Sequence, residues 1–125
     1  MPHIVLEYSD NLPELPDFRA LFDDIHQALN RIGGIKLDNC KSRTRAAEHC
    51  YIGDGEPDNA FIHLDIEFVK GRSTEVKQAI GRECLNLVKR YYKLHLSDAL
   101  QITVKIDDIA LDLYFKDPAG TLNYQ

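Results

Sequence analysis

A chain of 125 residues with 44% hydrophobic and 28% charged residues has an ordinary globular composition, with room for one domain or two small repeats sharing a core. Its formal net charge of −5 argues against a nucleic-acid-binding protein, which usually carries a basic face. No stretch is long and apolar enough to span a membrane, and the first residues lack the pattern of a signal peptide.

The cysteines and histidines define neither a disulfide framework nor a metal site. Cys40, Cys50 and Cys84 are odd in number and occur in no CxxC spacing, so we expect reduced thiols and a cytoplasmic location. The five histidines form no HxxxH pair and have no nearby cysteine at ligand spacing. We therefore expect no bound metal, and His63, inside a strand pattern, is expected to be packed or hydrogen-bonded.

Pro2 stands immediately before a predicted strand at residues 3–8, where Ile4, Leu6 and Tyr8 share one face. An initiator methionine followed by a small residue is usually trimmed, so we expect Pro2 to become the first residue, with a free secondary amine. Such an amine can take a proton from carbon and return it, and a rigid strand positions it better than a loose terminus does. Proline is also common at this position without any role, so Pro2 is a candidate base only if a site surrounds it.

The first half continues with a predicted helix and a second strand. The helix should begin at about Asp17 and end at Gly33 and Gly34, because glycine readily takes the left-handed conformation that terminates helices. Its apolar stripe comprises Phe18, Leu21, Phe22, Ile25, Leu29 and Ile32. The second strand is predicted from about residue 37 to residue 46.

A turn cluster at residues 54–59 precedes the second half, which repeats the same order. Residues 60–69 alternate as a strand, Gly71 ends it, and Ser73 is a good N-cap for a second helix. The buried face of that helix comprises Val76, Ile80, Cys84, Leu87, Val88 and Tyr91. The last core strand carries Ile102, Val104 and Ile106.

Two β-α-β units in tandem predict an α+β fold, a four-stranded mixed sheet with two helices on one face. The two strands of each unit should be parallel, because such crossovers are right-handed. We place pseudo-repeats at about 1–53 and 54–110 and a tail at 111–125, all within one domain, 1–125. The sheet face without helices is either solvated, with opposite charges paired, or buried against further copies of the protein. The apolar segment 111–115 favours burial.

A cationic row is predicted on the second strand, where Lys41, Arg43 and Arg45 alternate and so share one face. In an acidic protein this row suits an anionic ligand, since arginine can clamp a carboxylate through two parallel hydrogen bonds. Cross-strand salt bridges to Asp65 and Glu67 explain the row equally well. Both interpretations stay open at this point.

Arg72 is a second candidate for anion binding, because it directly precedes the N-terminus of the second helix. We expect an exposed guanidinium beside free backbone N–H donors. A solvated loop arginine without a ligand is the alternative.

Short motifs at compatible spacing extend over nearly the whole chain: Met1-Pro2-His3 with Glu7, Ser9-Asp10-Asn11, Ser42-Arg43, Ala60-Phe61-Ile62-His63, Gly71-Arg72-Ser73 and Leu113-Tyr114-Phe115-Lys116. With the β-α-β repeat, they resemble the tautomerase superfamily, and most closely its long-chain branch, the 5-carboxymethyl-2-hydroxymuconate isomerase family. The resemblance implies a cofactor-free enzyme that works as a homotrimer, with the sheets inward and the helices outside.

The resemblance also implies a reaction, the conversion of a 2-hydroxy-dienoate into its 2-oxo isomer during homoprotocatechuate degradation. Pro2 would accept the 2-hydroxyl proton and deliver one to C5, and Arg72 would bind a substrate carboxylate or polarise the 2-oxygen. Where the family typically carries Arg-Ser-Arg, this chain has Lys41-Ser42-Arg43. Lys41 therefore takes the position of an active-site arginine but offers a point charge in place of a bidentate fork, and Arg43 could take over part of the substrate binding.

Two alternatives remain open from the sequence. The protein could be a tautomerase of another small oxo-acid, or a catalytically silent oligomeric module that binds an anionic metabolite in the same pocket. In the enzyme readings the partner is a small carboxylated enol, and Pro2 is neutral at rest because burial and neighbouring cations lower the pKa of its amine.

Overall fold

The computed structural model describes residues 2–119. Its main elements are β1 (His3–Ser9), α1 (Phe18–Gly33), β2 (Lys41–Ala47), β3 (Ala60–Val69), α2 (Thr74–Tyr91) and β4 (Leu100–Ile109). The strands form one sheet in the order β2-β1-β3-β4. The pairs β1–β2 and β3–β4 are parallel and the central pair β1–β3 is antiparallel, so the predicted fold class is confirmed.

The core lies between the helices and one face of the sheet. Ile4 and Leu6 of β1 and Leu64 of β3 are fully buried, and they pack with the apolar faces of both helices. The alternate residues of the same strands are only partly buried, because no helix covers that face. Apart from Val69 at the end of β3, the core residues of β1 and β3 are therefore even-numbered, and Pro2 shares this parity.

Local signals define both ends of α1 as predicted. The Asp17 carboxylate accepts a hydrogen bond from the Ala20 amide at 3.1 Å and caps the N-terminus. At the other end Gly34 adopts φ 65° and donates its amide to the Asn30 carbonyl. The start of α2 is also as predicted, since the Ser73 hydroxyl accepts from the Val76 amide at 3.2 Å.

The second strand differs from its prediction. Residues Leu37–Asn39 form a single 3-10 turn, closed by the Cys40 amide on the Leu37 carbonyl, and β2 begins only at Lys41. Asp38 and Asn39 favour turns because their side chains compete for nearby backbone groups, and this preference outweighed the apolar Leu37.

The described segment after β4, residues 110–119, is only partly covered by the rest of the described chain. After a 3-10 turn at Leu111–Leu113, the side chains of Leu113 and Phe115 are 76% and 86% exposed. Removal of Met1 and the part of the predicted tail at 120–125 concern residues outside those described. Within 2–119, neither helix has the length and apolar character that a membrane crossing requires.

Replacing either of two glycines by alanine should change the free energy of unfolding, in opposite directions. Gly34→Ala should lower the free energy of unfolding by about 1 kcal/mol, because a left-handed conformation is strained for alanine although nothing crowds the new Cβ. Gly81→Ala, inside α2, should instead raise it by roughly 0.5–1 kcal/mol, since its Cβ would lie 3.7 Å from Ile106 Cγ1, an ordinary contact. Urea denaturation measures both, and equal signs would contradict the assignment of Gly34 as the C-cap of α1.

Candidate active site

Pro2 lies buried at the start of β1, at the edge of the helix-covered face. Its carbonyl accepts a hydrogen bond from the Lys41 amide at 3.1 Å, which continues the ladder between β1 and β2. His3 pairs with Glu67 across the antiparallel ladder, so the same register carries Pro2 to a position opposite Phe68. Pro2 and Phe68, which is 1% exposed, therefore lie on the same side of the sheet.

Arg72 is not the exposed loop arginine predicted from the sequence, since its exposure is 9%. Its Nε donates to the Gly33 carbonyl at 2.7 Å, and its guanidinium lies 5.2 Å from the centre of the Phe68 ring. The chain turns toward this position at Gly71, which has φ 147°. Arg72 is buried for a physical reason. The C-terminal carbonyls of α1 carry partial negative charge and the Phe68 ring offers a π-face, so both attract the guanidinium away from solvent.

Gly33 allows this close approach at the end of α1. A Cβ at this position would lie 3.0 Å from Ile80 Cδ1, tighter than nine in ten real Cβ contacts, and 3.4 Å from Arg72 Nε, at the lower limit of an ordinary contact. The absence of a side chain on Gly33 thus opens its carbonyl, at the end of α1, to Arg72. Arg72, which follows β3, and Pro2, which precedes β1, lie at the same end of the sheet because β1 and β3 are antiparallel, although 70 positions separate them in the sequence.

The cationic row lies on the other face of the sheet. Lys41, Arg43 and Arg45 do share one face, as predicted. Among the residues described, the salt bridges proposed as an alternative do not form, because β1 lies between β2 and the strand that carries Asp65 and Glu67.

Charges on this face pair at the opposite edge of the sheet. Lys105 of β4 approaches the carboxylate of Asp65 at 3.8 Å and that of Asp107 at 3.3 Å. Lys41 instead donates its Nζ to the Asn39 carbonyl at 3.0 Å. This backbone contact leaves the lysine without a carboxylate partner among residues 2–119, so its charge is available to an anion.

His3 and Tyr114 form a cluster with Arg43 that sequence reasoning missed. Arg43 Nη1 lies 3.0 Å from His3 Nδ1, and His3 Nε2 lies 2.9 Å from the Tyr114 hydroxyl. Burial lowers the pKa of His3, and the charges of Arg43 and Lys41 lower it further. Tyr114 is 111 positions away from His3, so the sequence showed only that both belong to the motifs that carry the family resemblance and not that they meet.

A cavity of about 450 Å³ opens beside α1 and the start of β2, next to Lys41. Its polar wall includes His26 and Ser42, whose Nε2 and Oγ are 2.7 Å apart. Burial lowers the pKa of His26, and the charge of Asp23 partly opposes this shift. Cys40 also lines the cavity, and burial raises the pKa of its thiol.

Two further expectations concern His63 and metal binding. His63 Nδ1 lies 2.6 Å from the Thr103 hydroxyl, so it is hydrogen-bonded as predicted. Across residues 2–119, no three His, Cys, Asp or Glu side chains converge in an arrangement that would hold a metal ion.

Comparison with known proteins identifies the family. The sequence matches the model of the 5-carboxymethyl-2-hydroxymuconate isomerase family over residues 2–119. It is 31% identical over 117 residues to the 5-carboxymethyl-2-hydroxymuconate Delta-isomerase of Escherichia coli, covering 93% of each chain.

Solved structures agree with the sequence comparison. A 5-carboxymethyl-2-hydroxymuconate isomerase from Deinococcus radiodurans R1 superposes with a TM-score of 0.83 at 27% identity, covering 92% of this chain and 87% of that one. A fused 4-OT symmetric trimer, at 18% identity, shares the fold with a TM-score of 0.69 over 86% of this chain and 85% of that one. The resemblance seen in the motifs is thereby confirmed, and the chain belongs to the 5-carboxymethyl-2-hydroxymuconate isomerase family of tautomerase-type isomerases.

Proposed function

We propose that the protein is a cofactor-free enol–keto isomerase in which the amine of Pro2, freed by removal of Met1, moves a proton within a carboxylated 2-hydroxymuconate. The observation that carries this proposal is the burial of Pro2 opposite Phe68, with the Arg72 guanidinium 5.2 Å from the centre of that ring. A base and a cation thus share one end of the sheet. The family to which the chain belongs supports the choice of substrate class.

The proposed base must be neutral near pH 7. An ordinary α-amino group titrates at about 8. Burial of Pro2 disfavours the charged amine, and the cationic Lys41, whose amide binds the Pro2 carbonyl, disfavours it further. Both influences act to lower the pKa of the amine, and we propose that it rests in the form that accepts a proton.

The reaction moves one proton and shifts two double bonds. The Pro2 nitrogen takes the 2-hydroxyl proton, the O–H electron pair forms the C2=O bond, and the C2=C3 and C4=C5 electrons move so that a C3=C4 bond remains. C5 receives the proton from the Pro2 ammonium, which returns to the neutral amine. Arg72 stabilises the negative charge that develops on the 2-oxygen and the adjacent carboxylate, a role that suits a buried, pre-positioned guanidinium.

Lys41 and Arg43 are proposed to hold the remaining carboxylates. Lys41 begins β2 directly beside the carbonyl of Pro2, and it contributes a point charge. Arg43 uses one N–H on His3 and keeps its other donors for the substrate.

A lysine where the family typically has arginine leads to a prediction. Lys41→Arg should lower KM for the 5-carboxymethyl substrate about fivefold, because a fork makes two charge-assisted hydrogen bonds to a carboxylate where an ammonium makes one. Lys93→Arg, an exposed lysine near the end of α2, is the matched control and should leave KM unchanged. An unchanged KM in Lys41→Arg would remove Lys41 from the proposed binding site.

We propose that the protein assembles as a homotrimer. One support for the trimer is the fused 4-OT protein, a symmetric trimer with the same fold. Two others are the exposed side chains of Leu113 and Phe115 and the sheet face that carries no helix. Large apolar side chains at such exposure are usually covered by a partner surface.

The proposed function is tested by following the ultraviolet absorbance of 2-hydroxymuconate and of its 5-carboxymethyl analogue with purified protein. Rapid isomerisation that prefers the carboxymethyl compound is the expected result. Activity on the simpler dienol alone would keep the mechanism and discard the substrate. No activity on either, with Met1 shown by mass spectrometry to be absent, would favour another oxo-acid or a silent binding module.

A further inference from the structure

His3 occupies a special position because it directly follows the proposed base. It is the first residue of β1, its Cα partner on β2 is Lys41, and its side chain lies on the sheet face that carries no helix. The backbone of Pro2 is already held by the Lys41 amide. Any contact that holds His3 also restrains the peptide bond that joins it to Pro2.

The contacts of His3 define its tautomer. A guanidinium can only donate, so the 3.0 Å contact from Arg43 Nη1 makes His3 Nδ1 an acceptor. The imidazole is therefore neutral with its proton on Nε2, in agreement with the lowered pKa of His3. Nε2–H then donates to the Tyr114 oxygen at 2.9 Å, and the two rings meet edge to face at 5.9 Å.

Tyr114 links the segment 111–115 to β1. Leu113 and Phe115 are largely exposed, and the backbone hydrogen bonds of Leu113 and Tyr114 reach back only to Ala110 and Leu111. Within residues 2–119, the bond from His3 is the side-chain hydrogen bond that connects this segment with the sheet. Three side chains from two strands and the C-terminal segment thus form one chain of hydrogen bonds.

We infer that the Arg43–His3–Tyr114 hydrogen-bond chain positions the proline amine, with His3 and Tyr114 acting as positioning residues for the isomerisation; this inference rests on the proposed function of Pro2. A fixed His3 ring restricts the peptide that carries the amine. A positioned base raises kcat, because the reacting atoms are aligned before the chemical step.

The test compares variants of the full-length protein. Tyr114→Phe removes the hydroxyl and keeps the ring against His3, and Tyr51→Phe is the matched control, since it removes the hydroxyl of a tyrosine that is 82% exposed. We expect Tyr114→Phe to lower kcat about fivefold with KM unchanged, the effect of one lost hydrogen bond, and Tyr51→Phe to change neither. His3→Gln should show a similar loss, and the double variant should lose no more than the larger single effect.

Two measurements need no substrate and so separate this inference from the proposed function. Titration of the Pro2 amine by ¹⁵N NMR should show its pKa rising toward that of an ordinary α-amino group in Tyr114→Phe, because a loosened strand end is better solvated. Hydrogen exchange of residues 111–115 should also become faster, and Tyr51→Phe should alter neither quantity. If the wild type does not isomerise the dienols, the proposed function fails. The inference is then decided by whether the pKa of the Pro2 amine differs between the wild type and Tyr114→Phe.

Other outcomes would overturn it. Faster exchange with unchanged kcat and amine pKa would make the chain of hydrogen bonds purely structural. A loss confined to KM would make Tyr114 a substrate contact.

Discussion

Pro2→Ala is expected to lower kcat by about 10²- to 10⁴-fold, the range in which a positioned general base contributes to proton transfer. The variant keeps an N-terminal amine, but without the pyrrolidine ring that amine is a primary one and rotates freely. Burial of Pro2 opposite Phe68 holds the ring in one place, so the loss should appear in kcat more than in KM. Steady-state kinetics on the carboxymethyl dienol measure it.

The control for this variant is Pro13→Ala, which changes an exposed proline in the loop before α1. It should retain wild-type kcat. The pH profile adds an independent check: wild-type kcat/KM should rise with pH through the pKa of the free amine and reach its plateau below about 8, the value for an ordinary α-amino group. Near-normal activity in Pro2→Ala, or a profile that still rises well above pH 8, would refute the assignment of the base.

Arg72→Gln is expected to have the second largest effect, a loss of about 10²- to 10³-fold in kcat/KM, because it removes a pre-positioned cation from the developing oxyanion. The same change affects folding. Arg72 is buried and its Nε satisfies the Gly33 carbonyl at 2.7 Å, so an unpaired carbonyl at the end of α1 should cost about 1–3 kcal/mol of unfolding free energy.

Two comparisons separate the catalytic loss from the folding loss. Arg82→Gln makes the same chemical change at an exposed position on α2 and should leave both activity and stability near wild type. Arg72→Lys keeps the charge but not the fork, so it should recover only part of kcat/KM. If Arg72→Gln unfolds at a lower urea concentration but retains its activity when assayed well below that concentration, Arg72 is a structural residue only.

The local features of this fold were readable from the sequence. Asp17 and Ser73 cap their helices, and Gly34 ends the first, because each acts on backbone groups within four positions of itself. The alternation in residues 60–69 likewise predicted which face of β3 is buried, since side chains in a strand alternate strictly. The same logic placed Lys41, Arg43 and Arg45 on one face.

The prediction from local sequence was wrong for the start of β2, where a turn competed with a strand. Apolar Leu37 suggested that β2 starts there, but Asp38 and Asn39 form a 3-10 turn first. It was also wrong for Arg72, whose neighbours Gly71 and Ser73 indicated an exposed loop. The groups that bury Arg72, the Gly33 carbonyl and the Phe68 ring, come from other elements, so no nearby residue could reveal them.

The sequence by itself determined the elements, the parity of each strand and, through motifs spread along the chain, the family. Only the tertiary structure decided that β1 separates β2 from β3, that Arg72 packs on Phe68, and that His3 reaches Tyr114. The physical reason is the range of the interactions. Caps and alternation follow from backbone geometry over a few residues, whereas strand order and side-chain meetings depend on which surfaces are buried together once the whole chain has packed.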